Sequence, residues 1–163
     1  MDRQADTAHG YDADFYAWTQ DQAAKLRAAA ASGSNLPVDW ENLAEEIESV
    51  GRSNFLAIVS HLKVAIEHLL KLEYSPADHP RRGWLNSVGN ARFEISLLLD
   101  DSPSLRRRLG EALEKAWRGA RASAALGLEV DNVPADTLPE TCPYTAEQAV
   151  GPEWLPVNRH GIT

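Results

Sequence analysis

Apolar residues recur along this chain at three- and four-residue steps, the spacing of one helical face. The pattern is densest from Asp39 to Tyr74, where Trp40, Leu43, Ala44, Ile47, Val50, Ile58, Leu62, Ala65, Leu69 and Leu72 follow it. A second stripe of Phe55, Val59, Ile66 and Leu70 widens that face beyond a single seam. The stretch contains no proline and one glycine, Gly51. It predicts one long helix of roughly 54 Å at about 1.5 Å per residue. Asp39 is placed to accept from the orphan N–H groups of the first turn. Gly51 predicts either a kink or the close approach of a neighbouring helix. A helix apolar on most sides is central in its domain or meets a second chain, so the Phe55–Leu72 surface is the expected place for a protein partner or a second copy.

Three further helices bracket this one. Tyr11 to Ala31, with Asp12 as cap and Phe15, Trp18, Ala23, Leu26 and Ala30 inward, predicts the first, stopped by Ser32-Gly33-Ser34-Asn35. After the connector with Pro76 and Pro80, Arg81 to Leu99 predicts another, with Trp84, Val88, Ala91, Ile95 and Leu98 as its face. Ser102-Pro103 suits a restart, and the last long helix is expected from Pro103 to Leu126 with Gly127 as its stop. Beyond Glu129 the prolines at 134, 139, 143, 152 and 156 forbid a long helix. Thr145 and Gln148 fit a capping box for one short helix over 145–150, and Trp154 and Leu155 are expected to dock.

These elements predict an all-α protein: a four-helix bundle-like core around one long central helix, with a proline-rich C-terminal arm carrying one short helix. The expected organisation is a flexible N-terminus over 1–10, the bundle over 11–128, and an arm over 129–163 packed on it.

Charge changes the picture only in part. The formal net charge is −8. The chain is acidic to residue 80 and again after 121, with a basic excess over 81–121. Complementary pairing between helices explains such a block more simply than a nucleic-acid face, because a phosphate-binding domain is usually basic overall. The single cysteine, Cys142, cannot form an internal disulfide. The start of the chain lacks the apolar core of a signal peptide, and no run approaches the ~20 apolar residues that span a bilayer. The expectation is a cytoplasmic protein with no membrane association.

Several short motifs occur in a fixed order: Tyr11-Asp12-Ala13-Asp14-Phe15-Tyr16-Ala17-Trp18, then Asp39-Trp40-Glu41-Asn42-Leu43-Ala44-Glu45-Glu46-Ile47-Glu48, His68-Leu69-Leu70-Lys71, Asp101-Ser102-Pro103-Ser104-Leu105 and Cys142-Pro143-Tyr144. Over about residues 11–156 the set closely resembles the bacterial family known as domain of unknown function twenty-nine. The resemblance implies a small all-helical bacterial protein and carries over no activity, substrate or catalytic residue.

Candidate chemistry rests on three groups. Glu41, Glu45 and Glu48 lie along one side of the long helix, with Arg92 beside the seam of the third. An interior ion pair of Glu45 or Glu48 with Arg92, forming a structural polar cluster, is the leading reading. The sharper alternative is a metal site using Glu45, Glu48 and His68. Carboxylate–histidine sites do occur in helical bundles, usually with Glu-x-x-His motifs that are absent here. His61 is roughly 20 Å along the helix from Glu48, too far to share an ion. Cys142 is expected to be a packed thiol rather than a nucleophile. Arg106-Arg107-Arg108 are expected to be solvated or paired. No phosphate loop or zinc motif occurs, so no cofactor is expected. The function that follows is a non-enzymatic interaction or scaffold protein acting through helical packing. The alternatives are a metal-dependent helical-bundle enzyme using Glu45, Glu48 and His68, and a nucleic-acid-associated regulator using 81–121.

Overall fold

A computed structural model describes residues 10–33 and 36–162. The expected loose end over residues 1–9 and the Ser34-Asn35 part of the expected helix stop lie outside the described residues. Among those described there are five α-helices and no strand: α1 (Phe15–Ala31), α2 (Trp40–Tyr74), α3 (Arg81–Asp101), α4 (Leu109–Glu129) and α5 (Ala146–Val150), with 3-10 turns at Pro103–Arg108 and Ala135–Thr137. The all-α class expected from the periodicity holds.

The chain divides into two compact units, Met1–Leu56 with Leu97–Arg107, and Ala57–Ser96 with Arg108–Thr163. Helices α2 and α3 are each unbroken and contribute residues to both.

In the first unit α1 begins later than its apolar pattern suggests. Residues 10–14 form a turn in which the Ala13 and Asp14 amides donate to the Gly10 carbonyl. The N-cap is Asp14, not Asp12. Its carboxylate accepts from the Ala17 amide at 2.9 Å and from the Ser104 amide and hydroxyl at 2.6 and 2.9 Å. Ser102 answers it: its Oγ accepts from the Tyr16 amide at 3.1 Å. One buried aspartate thus satisfies the start of α1 and the start of the 3-10 turn together. Gly51 is buried inside continuous helix, and Thr19 of α1 packs against it. Close approach is therefore what the glycine permits. The front of α2 buries less than its pattern promises, because Leu43 and Val50 are exposed.

The second unit holds the larger core. Ile58, Leu62, Ile66 and Leu69 of α2, Val88 and Ile95 of α3, and Leu113 and Leu128 of α4 are all buried. Ala112, Ala116, Ala120 and Ala124 give α4 a buried face of small side chains at four-residue steps. Gly127 does not end α4. It lies within the last turn beside the Lys71 side chain, and the helix runs on so that Leu128 is fully buried. The left-handed residue that reverses the chain is Asn132, with φ 57°. The apolar stripe from Phe55 to Leu72 is likewise covered: Phe55, Ile58, Leu62, Ile66, Leu69, Leu70 and Leu72 are buried by the chain itself. Those seven side chains belong to the core, while Leu56 in the same range is exposed.

Candidate functional site

The carboxylates and the guanidinium expected to pair with one another have other partners. Glu48 accepts from Arg27 Nη2 at 2.7 Å, and Arg27 Nε reaches Glu41 at 3.3 Å. That guanidinium holds the Glu48 carboxyl below its ordinary range. Glu45 is exposed. Arg92 is buried and donates to backbone carbonyls: Nε to Ala149 at 3.0 Å, Nη2 to Gln148 and Trp154 at 2.9 Å each, and Nη1 to Pro152 at 3.5 Å. The reason is local. The arm after Thr137 has one five-residue helix and four prolines, so many of its carbonyls lack ladder partners. A planar five-donor fork satisfies several of them at once. Desolvation pushes the Arg92 pKa down from its usual height.

The metal candidates do not converge. His68 donates from Nδ1 to the Val64 carbonyl of its own helix at 2.9 Å. It stands about 30 Å along α2 from Glu48. Among the described residues no group of three or more His, Cys, Asp or Glu side chains is placed to hold a metal ion.

A different polar cluster fastens the end of the chain. The Tyr144 hydroxyl donates to Glu73 at 2.8 Å, and Arg159 Nε and Nη2 donate to the other Glu73 oxygen at 3.0 Å. Arg159 also donates to the Tyr74 hydroxyl at 2.7 Å and lies 4.0 Å over the Tyr74 ring. Burial and the Glu73 charge push the Tyr144 pKa far up, so the phenol stays neutral. Burial raises the Cys142 thiol as well, which disfavours the thiolate that nucleophilic chemistry needs. Both Glu73 oxygens are occupied by these donors, so the arrangement fastens the arm to the end of α2.

The basic block is largely engaged in the same way. Arg81 donates to Leu72 O, and Arg121 to the carbonyls of Ala135, Leu138 and Pro139. Arg108 forks onto Glu111, and Arg106 reaches Asp100 at 3.3 Å. The three adjacent arginines start their run in a 3-10 turn, where successive side chains diverge by about 120°.

The outer face of α3 presents an apolar row. Leu85, Gly89, Phe93 and Leu97 recur at four-residue steps, and Phe93 is 61% exposed. Beside Gly89 and Phe93 lies a groove of about 290 Å³, whose other walls are Arg92, Ser96, Val150 and Pro152.

The family model described as "Domain of unknown function DUF29" matches residues 11–155. The chain belongs to this family. The DUF29 chain is also similar, at 29% identity and a TM-score of 0.71, to a crystal structure from Rhodospirillum rubrum described as an alpha-helical protein of unknown function. That similarity covers 89% of this chain and 91% of the other. No curated protein matches. Both descriptions leave function open, and that of the solved structure is of an alpha-helical protein. Among the described residues of this DUF29 chain, no helix is long and apolar enough to cross a membrane.

Sequence reasoning missed the Glu73–Tyr144–Arg159 cluster, whose members are 71 and 86 positions apart. It also missed the outer face of α3. There a signal existed: the recurrence of Leu85, Gly89, Phe93 and Leu97 runs beside the core face of Val88, Ala91 and Ile95.

Proposed function

We propose that this chain is a cytoplasmic, non-enzymatic interaction protein that works by packing the outer face of α3 against another protein chain. The observation that carries the reading is Phe93, 61% exposed in the middle of an apolar stripe with a groove at its side. An isolated exposed apolar residue needs no explanation, whereas an aromatic within a contiguous row is the usual core of a recognition surface. The engagement of Glu48, Glu73, Arg92 and Tyr144 in internal bonds supports architecture over reactivity for the polar clusters.

The test is a photoreactive phenylalanine analogue placed at position 93 in cells that make the protein, with the same analogue at exposed Arg107 as control. The expected result is one defined adduct from position 93, identified by mass spectrometry, and none from 107. Absence of an adduct from 93, or equal labelling from both positions, overturns the reading.

A further inference from the structure

We infer that α3 pairs antiparallel with α3 of a second copy of this chain, about a twofold axis passing beside residue 91. The inference rests on the interaction reading above and names its partner. It follows from how the exposed face of one unbroken helix is written. Residues 82, 85, 86, 89, 93, 96, 97 and 100 are all exposed. In an antiparallel pair centred on residue 91, position 85 lies opposite 97, 89 opposite 93, 86 opposite 96 and 82 opposite 100. The chemistry matches at each step. Leu85 meets Leu97, and Asn86 meets Ser96, a pair able to hydrogen-bond. The Phe93 ring meets Gly89, where no atom lies within 4 Å of the position a Cβ would take. Arg82 meets Asp100.

Gly89 and the neighbouring groove of about 290 Å³ give the incoming ring its hole, with Val150 and Pro152 as apolar walls. A twofold interface must be self-complementary in this sense, each residue meeting its counterpart twice. A buried Phe contributes about 150–250 Å² of contact by itself.

A second observation concerns the ends of α3. A helix favours acidic residues at its start and basic ones at its end. Helix α3 has neither: its first turn carries Arg81 and Arg82, and its last turn Asp100 and Asp101. Asp100 pairs with Arg106 at 3.3 Å, and its side chain is 72% exposed. Antiparallel pairing sets the basic start of each helix against the acidic end of the other. The charges that oppose the dipole within one chain then become complementary between two. An unrelated partner would have no reason to match both the Phe93–Gly89 spacing and this charge order.

The experiment is sedimentation of the full chain at concentrations spanning the micromolar range. A concentration-dependent monomer–dimer equilibrium is expected. Phe93→Asp and Gly89→Leu, both at exposed positions, should each raise the dimer dissociation constant at least tenfold while the melting transition stays cooperative. Arg82→Glu and Asp100→Lys should each weaken the dimer severalfold, and the two together should restore it, because reversal of both partners recreates the pair. A monomer at every concentration overturns the inference, as does a dimer indifferent to Phe93→Asp and Gly89→Leu, or a double reversal weaker than either single change. If the chain is monomeric yet position 93 labels a different protein in cells, the second-copy inference falls and the interaction reading stands. If it is monomeric and position 93 labels nothing, both fall.

Discussion

Gly51 and Gly89 lie in helix interiors, and the structure gives them opposite consequences. At Gly51 a Cβ would collide with the Thr19 hydroxyl and lie 3.0 Å from Thr19 Cβ. Thr19 is buried, and its hydroxyl is held by the Tyr16 carbonyl at 2.7 Å, so it cannot swing aside freely. Gly51→Ala should therefore destabilise by about 1–3 kcal/mol through overpacking, despite the roughly 1 kcal/mol that alanine gains in helix propensity. At Gly89 nothing opposes a Cβ, so Gly89→Ala should stabilise the single chain by up to about 1 kcal/mol. Urea unfolding at low protein concentration measures both. The sequence marked Gly51 as unusual and pointed first to a kink, with close approach of a neighbouring helix as the other reading. Only the position of Thr19 on another helix separates them, and no periodicity along α2 records it. The shift of the α1 cap from Asp12 to Asp14 has the same origin. Either aspartate can cap locally, but Asp14 also serves Ser104, 90 residues away.

At the scale of elements, what was legible is what local physics determines. The long apolar-periodic stretch is α2, and the Thr145–Gln148 capping box forms with both of its hydrogen bonds. What was illegible is how the proline-rich arm satisfies its backbone. A buried arginine invites the expectation of a carboxylate, so Glu45 and Glu48 were its natural partners on paper. Backbone carbonyls leave no mark in a sequence, yet they are the acceptors Arg92 uses. Arg121 and Trp117 of α4 do the same for Pro139 and Glu140, and Asn158 for Leu72 and Ser75. This leads to a prediction for α5 and the turn after it. Arg92→Met keeps much of the side-chain bulk but leaves several carbonyls without donors, at about 1–3 kcal/mol for each buried one. Amide hydrogen exchange should then accelerate over residues 146–154 before it changes in α4. Arg92→Lys should recover only part of the protection, since an ammonium cannot reproduce the planar fork. Uniform acceleration across all helices would show that Arg92 supports the whole core rather than the arm.

Across the whole molecule, the use of arginines for carbonyls explains why a basic block sits inside an acidic chain without neutralising it. Arg81, Arg92 and Arg121 donate to main-chain oxygens, so their charges cancel no carboxylate in those bonds. Titrating groups limit stability at both ends of the pH range. In the first unit, the Glu48 carboxyl is depressed below 4.5, chiefly by its hydrogen bond from Arg27. A depressed carboxyl contributes stability that is complete above its unfolded pKa and is lost as pH falls through the folded value. In the second, the Tyr144 phenol is raised, chiefly by burial and then by Glu73. For a raised group the sign reverses: stability is complete below the unfolded pKa of about 10 and declines as pH rises above it. Thermal melting against pH should thus show a plateau from about pH 5 to about pH 8.5, where the thiol of Cys142, raised by burial in the fold, begins to ionise in the unfolded chain, with a loss on each side. Glu48→Gln should reduce the acid loss without removing it, since the Glu111 and Glu147 carboxyls are depressed as well, and should leave the alkaline limb intact. Tyr144→Phe should lower the plateau by about 1.5–3 kcal/mol, the worth of a hydrogen bond to a charged group, and reduce the alkaline loss above about pH 10, leaving the part due to the raised Tyr74 and Cys142. An alkaline limb unchanged in Tyr144→Phe would mean that the phenol does not titrate between the folded and unfolded states, and that the Glu73 cluster is held by Arg159 alone.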